Sequence, residues 1–395
     1  MKKIFVFVVL VALFLLPLMS HAEVKFDSRE HGLLPTMTIN DNVKVTPYGY
    51  LYLGGYFESE STGEDTSLNI QPANAGADAP NDVAFHFNAT RFGTAFWATY
   101  GKIEHNANFQ IDFDTAARAP RIRHAYATVE TPVVNVLGGQ TWSVVGQSDP
   151  MIGFELMSNN NDNAWNLGNA YDRLVQFRLW KDIEDGLGTF GAQFGIMQFF
   201  NQGDAVIGPT GLTIGDQDIP QFQARLSQTF SLFDQQGLIA GSASLGKVKA
   251  SNRASFTTAL GVFELKIPLK YVILEGEFFY SHGGGYNTGV SQEAIETAAG
   301  ALSAIKSLGG WAGLKIPFEG IKTTFNALYG IDNPQNAVGG TAVTITKNQL
   351  LSGNFYILIT DWLSVIPEIE YLVTTYGAGF TEKNIRTTLG GYFYF

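Results

Sequence analysis

Polar and apolar side chains alternate with a period of two along most of the chain after residue 42. Ile103, Ala107, Phe109, Ile111 and Phe113 interleave with Glu104, Asn106, Asn108, Gln110, Asp112 and Asp114. Phe190, Ala192, Phe194 and Ile196 interleave with Thr189, Gly191 and Gln193, and Val365, Ile369, Tyr371 and Val373 with Glu368, Glu370 and Thr374. In a strand, successive side chains point to opposite faces, so each segment has one apolar and one strongly polar face. The pattern predicts sixteen strands, beginning near Val43, Val83, Ile103, Arg121, Asn135, Arg173, Gly188, Pro220, Gly237, Ala254, Tyr271, Leu308, Ile321, Asn348, Leu363 and Asn384.

The connectors alternate too. Short links are expected at Tyr100-Gly101, Thr131-Pro132, Ile267-Pro268, Pro317-Phe318 and Asp361-Trp362, with slightly longer ones near Glu184 and Asp234. Longer links cover 58–82, 144–172, 201–219, 283–307 and 332–347. An even strand count, with short turns at one end and long loops at the other, describes an all-β, transmembrane antiparallel β-barrel spanning 43–395. A soluble sandwich of this many strands would leave edges exposed and has no need of the alternation in connector length. The chain ends Leu389-Gly-Gly-Tyr-Phe-Tyr-Phe395. That ending resembles the last strand of bacterial outer-membrane proteins, in which it is read by the barrel assembly machinery, with Phe393 and Phe395 as the signal.

Residues 1–22 read as a cleaved signal peptide. Lys2 and Lys3 form its basic start, Ile4 to Leu18 its apolar run and Ser20-His21-Ala22 its small-residue site. Residues 23–42 then form a short N-terminal periplasmic segment, too small for a plug domain. Apolar residues make up 45% and charged residues 15%, which excludes a disordered chain. The lack of Cys removes disulfides and thiolate metal sites, and a net charge of −11 argues against nucleic acid as a partner. Outside the signal the five histidines His31, His86, His105, His124 and His282 have no metal-like spacing, and no hydrolase motif occurs. No catalytic group, metal or cofactor is expected.

A sixteen-stranded barrel leaves a water-filled lumen unless something plugs it. Arginine facing lipid near mid-bilayer costs roughly 2–4 kcal/mol, so strand arginines are expected to point inward. Arg91, Arg121, Arg123, Arg178 and Arg225, with Gln176, fall on the second, fourth, sixth and eighth strands and can form one basic arc lining the pore. On the fourth strand, Ile122, His124 and Tyr126 take the face opposite the arginines. Glu104, Asp112, Asp114, Glu275, Glu277, Glu368 and Glu370 share the inward parity of strands three, eleven and fifteen as an acidic wall. Opposed arcs would set a transverse field that selects among ions. The arginines could equally pair with Asp112 and Asp114 to stiffen the wall, and both roles can coexist.

The third long loop, 144–172, is the expected constriction loop. It is polar through Gln147, Asp149, Glu155 and Asn159 to Asn163, with Met151, Ile152, Phe154 and Leu156 to pin it to the wall. Loop 283–307 carries an expected helix capped by Ser291, with Ile295, Ala298, Ala299, Leu302 and Ile305 as its apolar stripe. Tyr48, Tyr50, Tyr52, Trp97, Tyr100, Trp142, Trp180, Tyr271, Trp362, Tyr371, Tyr392 and Tyr394 are expected in the two interfacial girdles. The acidic loop 58–82 reads as solvated, and divalent cations shared with lipopolysaccharide are its other reading.

Thr90-Arg-Phe-Gly93, Arg121-Ile-Arg-His-Ala-Tyr-Ala-Thr-Val129 and Leu137-Gly-Gly-Gln-Thr-Trp-Ser143 resemble the corresponding runs of the DcaP-like porins. The match is concentrated in residues 83–180. The resemblance implies a homotrimer in the bacterial outer membrane, in contact with its lipid and lipopolysaccharide. It also implies passive passage of small anionic solutes such as dicarboxylates, with Arg121, Arg123 and Arg178 lining the constriction. The small positions Ala125, Ala127, Gly138 and Gly139 could support close subunit packing. General diffusion with weak or cation-leaning selectivity is the other reading of this pore, and a surface adhesin a distant third.

Overall fold

The computed structural model describes residues 34, 36–40, 42–59, 82–113, 119–147, 168–170, 172–198, 205–207, 212–250, 255–284, 294–296, 302–335, 345–376 and 381–395. Sixteen antiparallel strands close on themselves. They are β1 (Val43–Glu58), β2 (Asp82–His86, resuming as Arg91–Tyr100), β3 (Ile103–Asp112), β4 (Arg121–Glu130), β5 (Asn135–Trp142), β6 (Arg173–Glu184), β7 (Thr189–Met197) and β8 (Leu212–Leu232). Then follow β9 (Gln235–Ala250), β10 (Ser255–Leu269), β11 (Val272–His282), β12 (Lys306–Phe318), β13 (Thr323–Pro334), β14 (Ile345–Thr360), β15 (Leu363–Tyr376) and β16 (Thr381–Tyr394). Each strand pairs with its successor, and β16 pairs with β1 from Tyr50↔Tyr394 to Glu58↔Arg386, so the sheet has no free edge. Short strands at Met37–Asn40 and Ala205–Ile207 pair antiparallel with the starts of β1 and β8.

The predicted count and alternation hold, while several boundaries move. Ile267, Pro268, Pro317 and Phe318 lie inside strands, and the turns fall at Lys270–Tyr271 and at Glu319–Lys322. A proline near a strand end removes only one ladder donor, so it marks the neighbourhood of the turn and not the turn itself. β8 begins at Leu212, ahead of the expected Pro220, because its register shifts near residues 214–222 carry the ladder past the proline. The predicted helix is overturned: Ala294–Glu296 and Leu302–Ala304 pair as a small hairpin. Gly300 interrupts the expected apolar stripe at the point where a helix would need continuity. The signal segment and most of residues 23–42, 59–81 and 148–167 lie outside the described residues.

The two faces separate cleanly. Leu53, Leu226, Ile369 and Leu389 point outward and are more than half exposed in the isolated chain. Their strand neighbours Tyr52, Arg225, Glu368, Glu370 and Thr388 point inward and are buried. An apolar outer belt around a polar interior is the reverse of a soluble domain and makes this a membrane-spanning barrel.

β2 breaks at residues 87–90, where Thr90 donates its N–H to the Phe87 carbonyl and its hydroxyl accepts the Tyr52 N–H at 3.0 Å. The side chain thus replaces the ladder bond that the break removes. Inside the wall, glycine makes room for rings. A Cβ on Gly93 would overlap the Tyr48 ring, and one on Gly54 the Tyr52 ring.

Candidate functional site

The described ends of the third loop turn inward. Its described ends leave β5 at Ser143 and return at Asp172, and both cross to the far wall. Gln223 on β8 accepts the Val144 and Val145 N–H groups at 2.8 and 3.2 Å, and Ser242 on β9 accepts the Gly146 N–H at 3.4 Å. Glu277 on β11 accepts the Ala170 N–H at 2.6 Å. Val145 and Ala170 pack with the inward Leu260, Val262 and Phe279 in one fully buried cluster. Gly168, at φ +93°, lies so close to β12 that a Cβ there would overlap the Gly310 backbone. The described ends of the loop therefore lie against the inner face of β8–β12.

The basic cluster stands on the inner face of β2–β6. Asp112 on β3 receives a two-pronged contact from Arg121, both bonds at 3.0 Å, and a further one from Arg123 at 2.9 Å. Arg123 also donates to Gln110 at 3.0 Å, and Gln110 to the Tyr48 hydroxyl at 3.3 Å. Arg91 pairs across the ladder with Tyr50 and lies over its ring at 5.3 Å. Arg173, missed by the sequence reading, lies over Trp142 at 5.2 Å, on the ring that Arg123 also covers at 5.7 Å. Arg91, Arg121 and Arg173 are all within electrostatic reach of the Arg123 charge or of one another. Among the described residues the acids in this group are Asp112 and Asp172.

A β-bulge creates the cluster. Gln110 faces His124 while Ile111 faces Ile122, so Arg123 is the extra residue of β4. A bulge resets the parity of everything that follows. His124 and Tyr126 are thus on the inner wall with the arginines, contrary to the plain alternation, and His124 bonds Thr141 Oγ1 at 3.0 Å.

Arg178 and Gln176 point inward on β6 as expected. Arg178 donates to Gln176 and to Gln193 Oε1 at 3.3 Å, and to the Trp142 carbonyl, with amide and carbonyl partners in place of a carboxylate. Arg225 is ion-paired: its guanidinium grips Glu264 on β10 at 2.9 and 3.1 Å.

The expected acidic wall is inward but divided. Glu277 is directly opposite Glu264 and serves the inserted loop, while Glu275 pairs with Lys315 at 3.2 Å. Glu368 accepts from Asn354 at 2.8 Å, and Glu370 sits opposite Arg386. Glu104 lies opposite Glu130 at the short-turn end of β3, and Asp114 lies outside the described residues. Arg386 and its partner Glu58 were missed, although Asn384, Arg386 and Thr388 alternate with Ile385 and Leu389.

The tyrosines are the largest correction. Tyr48, Tyr50, Tyr52, Tyr56, Tyr392 and Tyr394 share the inward parity of β1 and β16 and do not join a girdle. Tyr50 and Tyr52 meet Tyr392 at 5.1 and 4.8 Å, and Arg386 caps Tyr56 at 4.3 Å. The girdle reading holds at the short-turn rim, where Tyr100, Tyr271 and Trp362 are exposed. Phe393 faces outward and Phe395 exchanges backbone bonds with Gly49.

The sequence matches no protein-family model and no curated protein. Its fold is similar to the outer membrane channel DcaP of Acinetobacter baumannii, at TM-score 0.73 and 17% identity over 91% of this chain and 99% of that one. An anion-selective porin from Comamonas acidovorans gives 0.61 at 10% identity, over 89% and 100%. OmpF of Salmonella typhi, in complex with daunomycin, gives 0.55 at 12%, over 91% and 100%. These likenesses bear on architecture: the chain has the sixteen-stranded barrel fold of outer-membrane channels.

Proposed function

We propose that the protein is an outer-membrane porin, assembled as a homotrimer, that passes small hydrophilic solutes passively and favours anions such as dicarboxylates. One observation carries the selectivity. Arg91, Arg121, Arg123 and Arg173 gather on the inner face of β2–β6 around Asp112 and Asp172, which leaves positive charge in excess among the described residues. Guanidinium groups keep their charge at every working pH and present planar, paired donors suited to a carboxylate. Arg178, whose partners are neutral, extends that surface along β6. One similar structure is that of an anion-selective porin, which supports the same direction. Trimeric assembly rests on the fold likeness, since one similar structure is described as a trimer form.

A second reading has its own observation. Glu58 and Glu370 flank Arg386 across β1, β16 and β15, with Glu368 two residues further along β15, and the whole chain carries a net charge of −11. That favours a general diffusion porin with weak or cation-leaning selectivity. The reversal potential of purified protein in a planar bilayer under a KCl gradient separates the two. The first reading expects an anion-selective potential and current block by a dicarboxylate, both lost when Arg121, Arg123 and Arg178 are replaced. A cation-selective potential without block supports the second and removes the first.

A further inference from the structure

Trp142 closes β5 at the root of the third loop, and the structure sets its ring among cations and not in an interfacial girdle. Arg173 lies over the ring at 5.2 Å and Arg123 at 5.7 Å, and the His124 ring meets it edge-on at 5.5 Å. Trp142 and Arg173 are ladder partners, the last pair of β5 and β6 before the chain leaves at Ser143 and returns at Asp172. There the Ser143 N–H donates to the Asp172 carbonyl at 2.6 Å. The two guanidinium groups on the ring are held differently. Arg123 is fixed by Asp112 at 2.9 Å and by Gln110 at 3.0 Å. Arg173 is just as buried, yet its Nη1 makes no hydrogen bond among the described residues. Asp172 beside it turns one carboxylate oxygen to the Arg173 backbone N–H at 2.5 Å. The indole is thus the contact that holds the Arg173 side chain.

We propose that Trp142 is the positioning residue of the arginine cluster: its indole face holds the Arg173 guanidinium beside Arg123, and so sets how tightly the cluster holds a carboxylate. The second half of this inference deepens the anion-favouring reading and rests on it; the first half stands on the contacts alone. Arg121 and Arg123 both repel Arg173, so without an attraction the side chain would swing away from them. A tryptophan face supplies that attraction more strongly than any other side-chain ring. A guanidinium stacked in this way uses its flat face on the ring and keeps its in-plane N–H donors for an anion. The backbone of Trp142 has a separate task. Its carbonyl accepts Gln176 Nε2 at 2.8 Å and also Arg178 Nη2, so Arg178 is oriented by the main chain and not by the ring.

The test places fluorinated tryptophans, from one fluorine to four, at position 142 alone by nonsense suppression in the full-length barrel. Fluorine drains the ring face of negative charge and leaves its shape nearly unchanged, so packing is retained across the series. Phenylglyoxal labelling of the detergent-folded barrel, read by mass spectrometry, reports how freely Arg173 moves. Its labelling rate is expected to rise with each fluorine, by about fivefold at four, while Arg178 stays at the parent rate. Trp142→Phe should fall between the parent and Trp142→Leu, with heat-modifiable gel mobility confirming that each is folded. A flat Arg173 rate across the fluorine series overturns the proposal, because the ring would then act by shape alone. Equal rates in Trp142→Phe and Trp142→Leu overturn it as well. Dicarboxylate block of single channels, recorded on the same samples, is expected to weaken about threefold at four fluorines. Unchanged block beside a faster Arg173 overturns the link to anion capture. A parent channel that no dicarboxylate blocks removes the anion-favouring reading itself, and the labelling rates then decide the positioning role without it.

Discussion

The Glu277 carboxylate on β11 accepts the Ala170 backbone N–H at 2.6 Å, which ties the returning arm of the inserted loop to the wall across the lumen from where that loop began. The neighbouring contacts repeat the same logic. Gln223 and Ser242 take the N–H groups of the departing arm, and the buried Val145–Phe279 cluster lies between. A loop inside a barrel has to satisfy its backbone without water, so wall side chains supply the acceptors.

Glu277→Ala therefore leaves a buried N–H without its acceptor, at a cost of about 1–3 kcal/mol borne by the loop arm. The barrel ladder is untouched, so the barrel should stay folded while the loop samples other positions. Single-channel recordings are expected to show added open-state noise and brief closures. Glu277→Gln retains an acceptor oxygen and is expected to stay close to the parent. Quiet traces from Glu277→Ala would show that the remaining anchors hold the loop alone.

Asp112 is the shared partner of Arg121 and Arg123 and is itself buried. Removing one member of a buried charge group costs about 3–5 kcal/mol, because the remaining charges lose their compensation. Asp112→Asn is expected to lower the denaturant midpoint of the barrel and to shift the reversal potential further toward anions. A variant as stable as the parent, with unchanged selectivity, would place the cluster away from the ion path.

Asp185 lies in the exposed turn between β6 and β7, where its carboxylate accepts the Leu187 and Gly188 N–H groups, both at 2.8 Å. Those two backbone bonds hold its carboxyl below the usual carboxylate range. A depressed folded pKa contributes stability that is present above the unfolded value, about 3.9, and is lost as pH falls through the folded value. Asp185→Asn is thus expected to be less stable than the parent at neutral pH, with the gap closing in acid. Urea midpoints measured from pH 7 to pH 2 check this, and a gap that is constant across the range would remove the role of the charge.

Much of the fold was legible because a barrel wall has only two environments, lipid and lumen. Phe109 against Gln110, or Ile369 against Glu370, states the face directly. What escaped the sequence were the departures from strict alternation and the identity of what fills the lumen. Nothing local in Arg121-Ile-Arg-His-Ala-Tyr announces that Arg123 is an extra residue, since the bulge is a property of the pairing with Gln110 and Ile111. The inward tyrosines misled for a related reason. Tyr48, Tyr52 and Tyr392 have the chemistry of an interfacial belt, and only closure of β16 on β1, with glycines at positions 54 and 93 making room for rings, turns them into lumen packing.

The bulge can be tested directly, because the chain has no native cysteine and single substitutions can be labelled without background. After the reset, Tyr126 faces the lumen and Ala127 faces outward, where it is exposed in the isolated chain. Uninterrupted alternation from Arg121 gives the reverse, with position 127 beside the arginines on the inner wall. A charged, membrane-impermeant thiol reagent should therefore modify Tyr126→Cys rapidly in reconstituted barrels and leave Ala127→Cys unreacted. A lipid-soluble maleimide should reach Ala127→Cys, which shows that its thiol is present and reactive. Modification in the opposite order would restore strict alternation to β4, remove His124 from the arginine cluster, and change the charge arrangement on which the anion preference rests.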